Sequence, residues 1–161
     1  MSTLILRSLQ PEDNPIIAKV IRDVLIEMNV PKVGTAYEDE ALNYMYETYD
    51  KRNSAYFVVV ENGKILGGAG IAPLAGEKST ICELQKMYFL SEVRGRGIGY
   101  TMMQKCLKFA KEHGYEQCYL ETMPYMESAR KLYRKVNFES LSAPIGATGH
   151  YSCQEWMIKT L

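Results

Sequence analysis

The sequence predicts an α/β fold of the α+β type, built on a mixed central sheet of six to seven strands. Three β-prone runs lie at residues 55–60, 65–72 and 81–89, and Asn62-Gly63 between the first two is typical of a type I′ hairpin turn. We therefore expect these runs to form an antiparallel meander. A glycine-rich turn, an amphipathic helix and a further strand follow, and together they make a crossover unit. The fourth and fifth strands of the chain should consequently be parallel neighbours.

The N-terminal part of the chain predicts one strand and two helices. Residues 4–7 are a short β-prone run, and Asn14 followed by Pro15 is typical of a helix start. Apolar residues at helical spacing indicate one buried face of this helix, namely Ile17, Val20, Ile21, Val24, Leu25 and Met28. Pro31 and Gly34 should end it. A second helix is expected to bury a stripe made of Leu42, Met45, Tyr46 and Tyr49.

The C-terminal part predicts two more helices and the closing strands. The helix after the glycine-rich turn should end at His113-Gly114, because glycine is the usual residue just beyond a helix. Pro124 separates a fifth strand, at residues 118–122, from the last helix. Strands near Phe138 and at residues 151–158 close the chain. The expected order is strand, two helices, three strands, helix, strand, helix and two strands.

Residues 94–99, with the sequence Arg-Gly-Arg-Gly-Ile-Gly, form a basic, glycine-rich turn between a strand and a helix. Glycines let the backbone approach a bulky ligand, and the first amide N–H groups of the helix have no intrahelical partner. Such a turn binds anions, most often phosphate. A P-loop is excluded because its lysine is missing, and a dinucleotide fingerprint because Tyr100 occupies its third glycine position. We therefore expect another kind of phosphorylated cofactor.

Three motifs in this region resemble the GCN5-related N-acetyltransferase (GNAT) family. Arg94-x-x-Gly97-x-Gly99 resembles the family's acetyl-CoA pyrophosphate loop, and residues 83–89 resemble its fourth strand. Residues 129–138 resemble its Ala-x-x-Leu-Tyr-x-x-x-Gly-Phe segment, and the motifs occur in the family's order between residues 81 and 138. The resemblance implies a GNAT-like fold, a single acetyltransferase domain over residues 1–161, and acetyl-CoA as the acyl donor.

The resemblance also implies which residues bind acetyl-CoA. In the family the fourth strand pairs with the pantetheine amides through main-chain atoms, which corresponds here to Met87 and Phe89, whose side chains suit the core. The pyrophosphate is expected on the N–H groups from Gly95 to Tyr100, with positive charge added by two flanking arginines. The expected cofactor-binding set is Met87, Phe89, Arg94, Gly95, Arg96, Gly97, Ile98, Gly99 and Tyr100.

Tyr133 is the candidate general acid, because it corresponds to the tyrosine of the family's Leu-Tyr motif. A thiolate leaving group has a conjugate acid of pKa ~8.5 against ~10 for tyrosine, so a tyrosine can donate a proton slightly uphill or stabilise the developing charge. The position of Tyr133 also suits a buried helix face. Met126 stands where the family commonly has an asparagine that contacts the cofactor, so that contact should be absent or supplied otherwise.

Glu83 is the candidate general base that would deprotonate the attacking amine, directly or through water. A glutamate early in this strand is frequent among the resembled enzymes, although a carboxylate on a solvent-facing strand position fits the same residue. Strict alternation would put Glu83, Gln85, Met87 and Phe89 on one face of the strand, and a bulge would change this facing. Glu121 is a weaker alternative base.

The acceptor is expected to be a primary amine of a small molecule or peptide. In this fold class the first two helices and the last hairpin build the acceptor pocket. Those segments offer Glu27, Met28, Tyr37, Glu38, Tyr44, Tyr46, His150 and Tyr151. Aromatic and carboxylate groups suit an amine, although aromatic stripes are more often core. The alternative to an enzyme is a non-catalytic module that binds acyl-CoA, senses the cofactor or supports a partner.

Composition excludes several other classes of function. Nineteen basic and nineteen acidic residues cancel among 161, so no overall field attracts nucleic acid or an anionic membrane. Four scattered cysteines and two histidines lack the clustering of a metal site, and reduced thiols suit a cytoplasmic location. No signal-peptide core or membrane span is expected. We therefore predict no metal, no nucleic acid and no membrane partner, while the resemblance allows a homodimer.

Overall fold

The computed structural model describes residues 3–123 and 126–161, and Pro124 lies outside these ranges. Seven strands form one sheet with the spatial order β1-β2-β3-β4-β5-β7-β6. The strands are β1 (Leu4–Ser8), β2 (Ala55–Glu61), β3 (Lys64–Pro73), β4 (Ile81–Phe89), β5 (Gln117–Thr122), β6 (Glu139–Leu141) and β7 (Glu155–Thr160). The helices are α1 (Asn14–Glu27), α2 (Met45–Tyr49), α3 (Ile98–Glu112) and α4 (Glu127–Lys135). The predicted fold class and element order are confirmed.

The antiparallel meander of β2, β3 and β4 begins with the predicted hairpin. Asn62 and Gly63 have φ angles of 52° and 79°, and two successive positive φ angles define the type I′ turn. Glu61 pairs with Lys64 at the first position of the ladder, so the loop consists of Asn62 and Gly63 alone. The Asn-Gly dipeptide therefore fixes the register next to the turn, and an irregularity between Val59 and Val60 shifts it along the rest of the two strands.

The second predicted helix is largely irregular. Two 3₁₀ turns, Ala36–Glu38 and Glu40–Tyr44, precede the five residues of α2. The predicted stripe is nevertheless buried at three of its four positions, Leu42, Met45 and Tyr49. Apolar spacing thus located the buried face correctly, whereas a continuous helix was wrong.

Asn14 begins α1 and also caps α2. Its side-chain oxygen accepts a hydrogen bond from the Tyr46 backbone N–H at 2.7 Å, and its amide donates to the Glu47 carboxylate at 2.7 Å. The expected start of α1 at Asn14 is therefore correct, but the Asn14 side chain caps α2 instead of α1. These bonds join the two helices that cover one face of the sheet.

The sheet is buried on both faces, which explains why residues 56–60 are continuously apolar. Val58 and Val60 face α1 and its cluster of Ile17, Ile21 and Leu25. Phe57 and Val59 face the opposite cluster, where α3 contributes Met102, Met103 and Cys106. All four cysteines fall within the described ranges and are free thiols, with Cys82, Cys106 and Cys118 buried as expected. Within the described ranges, no helix has the length and apolarity that a bilayer crossing requires.

A β-bulge in β4 decides which of its side chains share a face. Gly68 pairs with Tyr88 and Gly70 with Gln85, so two residues of β4 oppose one residue of β3. Lys86, in the bulge, has a φ of 52°. Gln85 consequently lies on the α1 side with Tyr88, whereas Met87 packs on the α3 side.

This arrangement decides between the two facings that the sequence left open for β4, strict alternation or a shift by a bulge, in favour of the bulge. Glu83 and Gln85 share one face and are hydrogen-bonded to each other, but Met87 and Phe89 point to the other face. The physical reason is the extra residue of the bulge, which shifts the two-residue period by one position. The strand therefore carries polar groups to one side before the bulge and apolar groups to the opposite side after it.

β4 and β5 are parallel, as predicted, but they pair over a short distance. Within the described ranges their partners are Ile81–Glu83 of β4 and residues 117–119 of β5. Beyond Glu83, β4 keeps its partner β3 while β5 continues beside β7. The sheet therefore opens between its two central strands and exposes one backbone edge of β4.

Candidate active site

A cleft of about 570 Å³ lies where β4 and β5 separate. Its wall combines the end of β4, the glycine-rich loop, the end of β5 and α4. The predicted site residues that line it are Met87, Phe89, Arg94, Gly95, Gly97, Ile98, Gly99 and Tyr133. This volume is within the range of small-molecule sites. The structure thus brings most of the predicted cofactor set together in one cavity.

The glycine-rich loop presents backbone donors to the cleft. Gly95 and Gly97 have φ angles of 73° and 76°, which favour glycine, and at either position an added Cβ would meet no atom within 4 Å. The first hydrogen bond of α3 runs from the Thr101 N–H to the Gly97 carbonyl at 3.2 Å. The N–H groups of residues 98–100 precede this bond and so have no intrahelical partner. Open space beside such donors fits the diphosphate of coenzyme A.

The two arginines of the loop point in different directions. Arg94 lines the cleft, where its Nε donates to the Phe89 carbonyl at 2.9 Å and Nη2 pairs with Glu27 at 2.5 Å. Arg96 instead makes two hydrogen bonds to Glu61, at 2.7 and 3.1 Å, and it is absent from the cleft wall that the described residues form. The expected positive charge therefore comes from one arginine at the cleft, while the other anchors the loop to β2.

Gly99 and Tyr100 occupy the first turn of α3 in different ways. A Cβ at Gly99 would lie 3.1 Å from Leu132 Cδ2, so glycine permits α3 and α4 to approach closely. The side chain of Tyr100 is 44% exposed and has Lys135 Nζ 5.2 Å from its ring centroid. The Tyr100 side chain is not among the described residues that line the cleft, so the contact we expect from Tyr100 is made by its backbone N–H.

Tyr133 reaches the cleft from α4. It is only 6% exposed, and its ring packs edge-on against Phe138 with centroids 6.0 Å apart. Burial, and next the nearby Cys118, raise the pKa of Tyr133 well above its ordinary value. Among the described residues its hydroxyl has no hydrogen-bond partner, so the O–H can serve a bound ligand. The helix-face and functional interpretations of Tyr133 are compatible, because its ring packs against Phe138 and the same residue lines the cleft.

A second, smaller cavity of about 50 Å³ adjoins the cleft on the α1 side. The two cavities share several wall residues, Leu84, Lys86, Tyr88, Glu121, Thr122 and Met126. Glu83 lines the smaller cavity and Tyr133 the larger one, so the two candidate catalytic residues lie on opposite sides of a common wall.

Glu83 is a buried carboxyl, not a solvent-facing one, with 6% exposure. Gln85 Nε2 donates to Glu83 Oε1 at 2.6 Å, and Gln85 Oε1 accepts from the Tyr49 hydroxyl at 2.5 Å. Burial raises the pKa of Glu83, the hydrogen bond from Gln85 works against that rise, and the charge of Glu121 adds to it. A carboxyl with a raised pKa is a stronger base than an exposed one.

His150 joins two carboxylates at the rim of the smaller cavity. Its Nε2 lies 2.8 Å from Asp39 Oδ2 and its Nδ1 lies 3.8 Å from Glu121 Oε1. Burial lowers the pKa of His150, but the hydrogen bond and charge of Asp39, together with the charge of Glu83, outweigh burial and raise it. Glu121 accepts from Tyr119 at 2.7 Å and from Thr148 at 2.6 Å, so both of its oxygens are already engaged. Glu83 is therefore the freer of the two candidate bases.

Glu121, His150 and Cys153 are close enough to bind one metal ion together, since their ligand atoms lie within 4.8 Å of one another. The chemistry of the donors does not favour a metal. The Glu121 oxygens and His150 Nε2 already have hydrogen-bond partners, and burial raises the pKa of the Cys153 thiol to about 12. Thiols bind zinc as thiolates, so we assign no metal to this group.

Of the acceptor-pocket candidates named from the sequence, His150 lines the smaller cavity and Met28 the larger one. The structure places the others elsewhere, and Tyr44 and Tyr151 are 62% and 73% exposed. Lys86 and Tyr88 line both cavities, and no sequence pattern indicated either residue. The position of both residues depends on the β4 bulge, and the only feature of the sequence that indicates this bulge is the glycine-rich composition of β3.

Residues 21–138 match the Acetyltransferase (GNAT) family, which is more than half of the chain. The chain is 40% identical over 158 residues to Uncharacterized N-acetyltransferase YjgM of Escherichia coli K12, covering 98% of this chain and 95% of that protein. It is 34% identical over 98 residues to the human N-acetylaspartate synthetase, covering 61% of this chain and 30% of the longer synthetase.

Solved structures agree on the fold. The crystal structure of a GNAT-family acetyltransferase from Staphylococcus aureus Mu50 has a TM-score of 0.84 at 17% identity and covers 98% of this chain and 99% of that one. PaiA N-acetyltransferase from Thermoplasma acidophilum, crystallised in complex with coenzyme A, has a TM-score of 0.72 at 17% identity and covers 99% of each chain. Because its sequence matches the family over residues 21–138 and its nearly full-length relative is an N-acetyltransferase, the chain belongs to the GNAT family and is an acetyl-CoA-dependent N-acetyltransferase.

Proposed function

We propose that the chain transfers the acetyl group directly from acetyl-CoA to a primary amine of a small molecule or peptide, with Tyr133 and Glu83 as its catalytic residues. The observation that carries this proposal is that the two cavities adjoin each other along shared wall residues. One cavity contains the backbone donors of the glycine-rich loop and Tyr133, the other contains the buried carboxyl of Glu83, and they share a wall.

The glycine-rich loop would hold the diphosphate on the N–H groups from Gly95 to Tyr100, with Arg94 adding charge. The open edge of β4 near Met87 and Phe89 supports main-chain hydrogen bonds to the two pantetheine amides, because this edge has no partner strand beyond Glu83 among the described residues. These contacts would direct the thioester, the activated acyl group that the donor supplies, toward Tyr133.

The chemical step then needs two proton movements. Glu83 accepts the proton that the amine loses as its nitrogen forms the new bond to the acetyl carbon, directly or through one water. Tyr133 donates its O–H to the sulfur as the carbon–sulfur bond breaks, and solvent restores its proton. The raised pKa of Tyr133 makes its O–H a weaker acid than that of a free tyrosine, so proton transfer is uphill until negative charge has developed on the sulfur, and the O–H hydrogen bond itself stabilises that charge.

A thiol-release assay with acetyl-CoA and a panel of polyamines, aminoglycosides, amino acids and peptide N-termini tests the proposal. The similarity to the human N-acetylaspartate synthetase makes amino acids one candidate class within this panel. Release that depends on one acceptor class, together with mass-spectrometric detection of the acetylated amine, would support the proposal. Tight binding of coenzyme A without release for any amine would contradict it and favour the non-catalytic module.

Three accompanying properties belong to the same proposal. Residues 1–161 would form one acetyltransferase domain in the cytoplasm, a location that the four free thiols support, and the family resemblance allows a homodimer. Light scattering of the purified chain would measure the assembly, and a monomer at assay concentration would contradict that part alone.

A further inference from the structure

Lys86 is a buried cation that the proposed chemical step does not use. Its side chain is 6% exposed and lines both cavities at their common wall. Its backbone has a φ of 52°, a conformation that is unfavourable for any residue with a Cβ. Both the burial of an ammonium group and the backbone conformation are costly, and such costs are concentrated at functional sites.

The surrounding residues hold Lys86 in this conformation. The Tyr56 hydroxyl donates to the Lys86 carbonyl at 2.7 Å. Space for the Tyr56 ring comes from two glycines of β3, because a Cβ at Gly68 would lie 2.5 Å from Tyr56 Cε1 and one at Gly70 would lie 2.6 Å from Cδ2. The bulge is therefore built into the packing of β2, β3 and β4, and it directs the ammonium group toward the cavities.

The ammonium group has spare hydrogen-bonding capacity. Its nearest charged partner is Asp39 Oδ2 at 3.6 Å, beyond hydrogen-bond distance, and the same oxygen lies 2.8 Å from His150 Nε2. None of the hydrogen bonds that the structure describes involves Lys86 Nζ, although a lysine ammonium can donate three. An anionic group of a ligand at the common wall would satisfy this donor.

We propose that the acceptor is a free amino acid whose carboxylate binds Lys86 while its amine faces Glu83. The inference rests on the proposed function and names its substrate class. Glu83 and Lys86 line the same small cavity, and Lys86 also lines the adjoining cleft, so a short ligand with opposite charges at its two ends can place its amine beside Glu83 and its carboxylate at the common wall. Val30, Ala36 and Met123 add apolar wall for a small side chain. A diamine would bring a second positive charge to Lys86 and is disfavoured for that reason.

The test compares matched acceptors in the thiol-release assay. The best of the twenty common amino acids is compared with its own carboxamide, with the amine that lacks its carboxyl group, and with 1,3-diaminopropane. Loss of one charge-assisted bond predicts that kcat/KM falls at least about tenfold when the carboxylate is absent. Lys86→Met should abolish the preference for acceptors that carry a carboxylate. Lys86→Gly should abolish the same preference and keep the bulge, because glycine suits the left-handed backbone at this position.

The outcomes separate this inference from the proposed function. Equal rates with the amino acid, its amide and its amine, or a preference for the diamine, would overturn the amino-acid acceptor while leaving acetyl transfer to an amine in place. A carboxylate preference that survives in both Lys86 variants would overturn the role of Lys86. Failure of every amine in a protein that binds coenzyme A would overturn the proposed function, and the acceptor class with it.

Discussion

Replacing Tyr133 by phenylalanine removes one hydroxyl and leaves the ring in place, so its effects on rate and on stability should separate. The ring keeps its edge-on contact with Phe138, and among the described residues no hydrogen bond to the hydroxyl is lost. We therefore expect the free energy of unfolding to change by less than about 1 kcal/mol. Loss of a general acid should lower kcat by about 10²- to 10⁴-fold, which corresponds to about 3–5 kcal/mol in the activation barrier.

Tyr115→Phe is the matched control for Tyr133→Phe. Tyr115 is also buried, at 5% exposure, but its hydroxyl donates to the Asn53 carbonyl at 2.8 Å, away from the cleft. Tyr115→Phe should therefore cost about 0.5–1.5 kcal/mol in stability without changing kcat. Thiol-release kinetics and urea denaturation of both variants provide the comparison. A Tyr133→Phe enzyme that keeps the kcat of the unmodified protein would refute the assignment of Tyr133 as the acid.

Three further predictions concern the base, the loop and the fold. Glu83→Gln should lower kcat. Because burial raises the pKa of Glu83, the rate of the unmodified enzyme should fall on acidification at a pH above the ordinary glutamate pKa of 4.5. A pH–rate profile without this acidic decrease would count against Glu83 as the base. Arg94→Ala should weaken coenzyme A binding in calorimetry more than Arg96→Ala, because only Arg94 lines the cleft; equal losses would contradict the assignment. Burial alone would raise the pKa of Asp13, but the hydrogen bonds from Arg7 and from the Gln10 backbone N–H outweigh burial and lower this pKa. The stability that the Arg7–Asp13 pair contributes is therefore present above about pH 3.8 and is lost at lower pH. Asp13→Asn should cost about 1–3 kcal/mol at neutral pH and remove this acid dependence, as measured by denaturant unfolding across pH.

Features with local causes could be predicted from the sequence. The Asn62-Gly63 turn depends on two residues that tolerate positive φ, and α3 depends on apolar spacing within one helix. The glycine-rich loop is likewise local, since a few consecutive residues supply both the conformation and the donors. These parts of the fold and of the cofactor cleft were therefore expected before the structure.

Features with long-range causes could not be predicted. The bulge at Lys86 needs the ring of Tyr56 from one strand and glycines from another. His150 meets Asp39 across 111 positions of the chain, and no short pattern announces such a pair. The smaller cavity is assembled from contacts of this kind, which is why most of the acceptor residues proposed from the sequence lie outside it.

Calorimetric measurement of coenzyme A binding to Gly97→Val and Gly114→Val tests most directly whether the backbone of the glycine-rich loop holds the diphosphate. Both glycines have positive φ, 76° and 84°, and at both a Cβ would meet no atom within 4 Å, so the backbone strain is matched at the two ends of α3. Only the side chain at position 97 would occupy the space beside the loop donors. We expect Gly97→Val to raise the Kd at least about 100-fold, equivalent to one or two charge-assisted hydrogen bonds, and Gly114→Val to leave it unchanged. Unchanged affinity in a folded Gly97→Val protein, or an equal loss in both variants, would contradict the account.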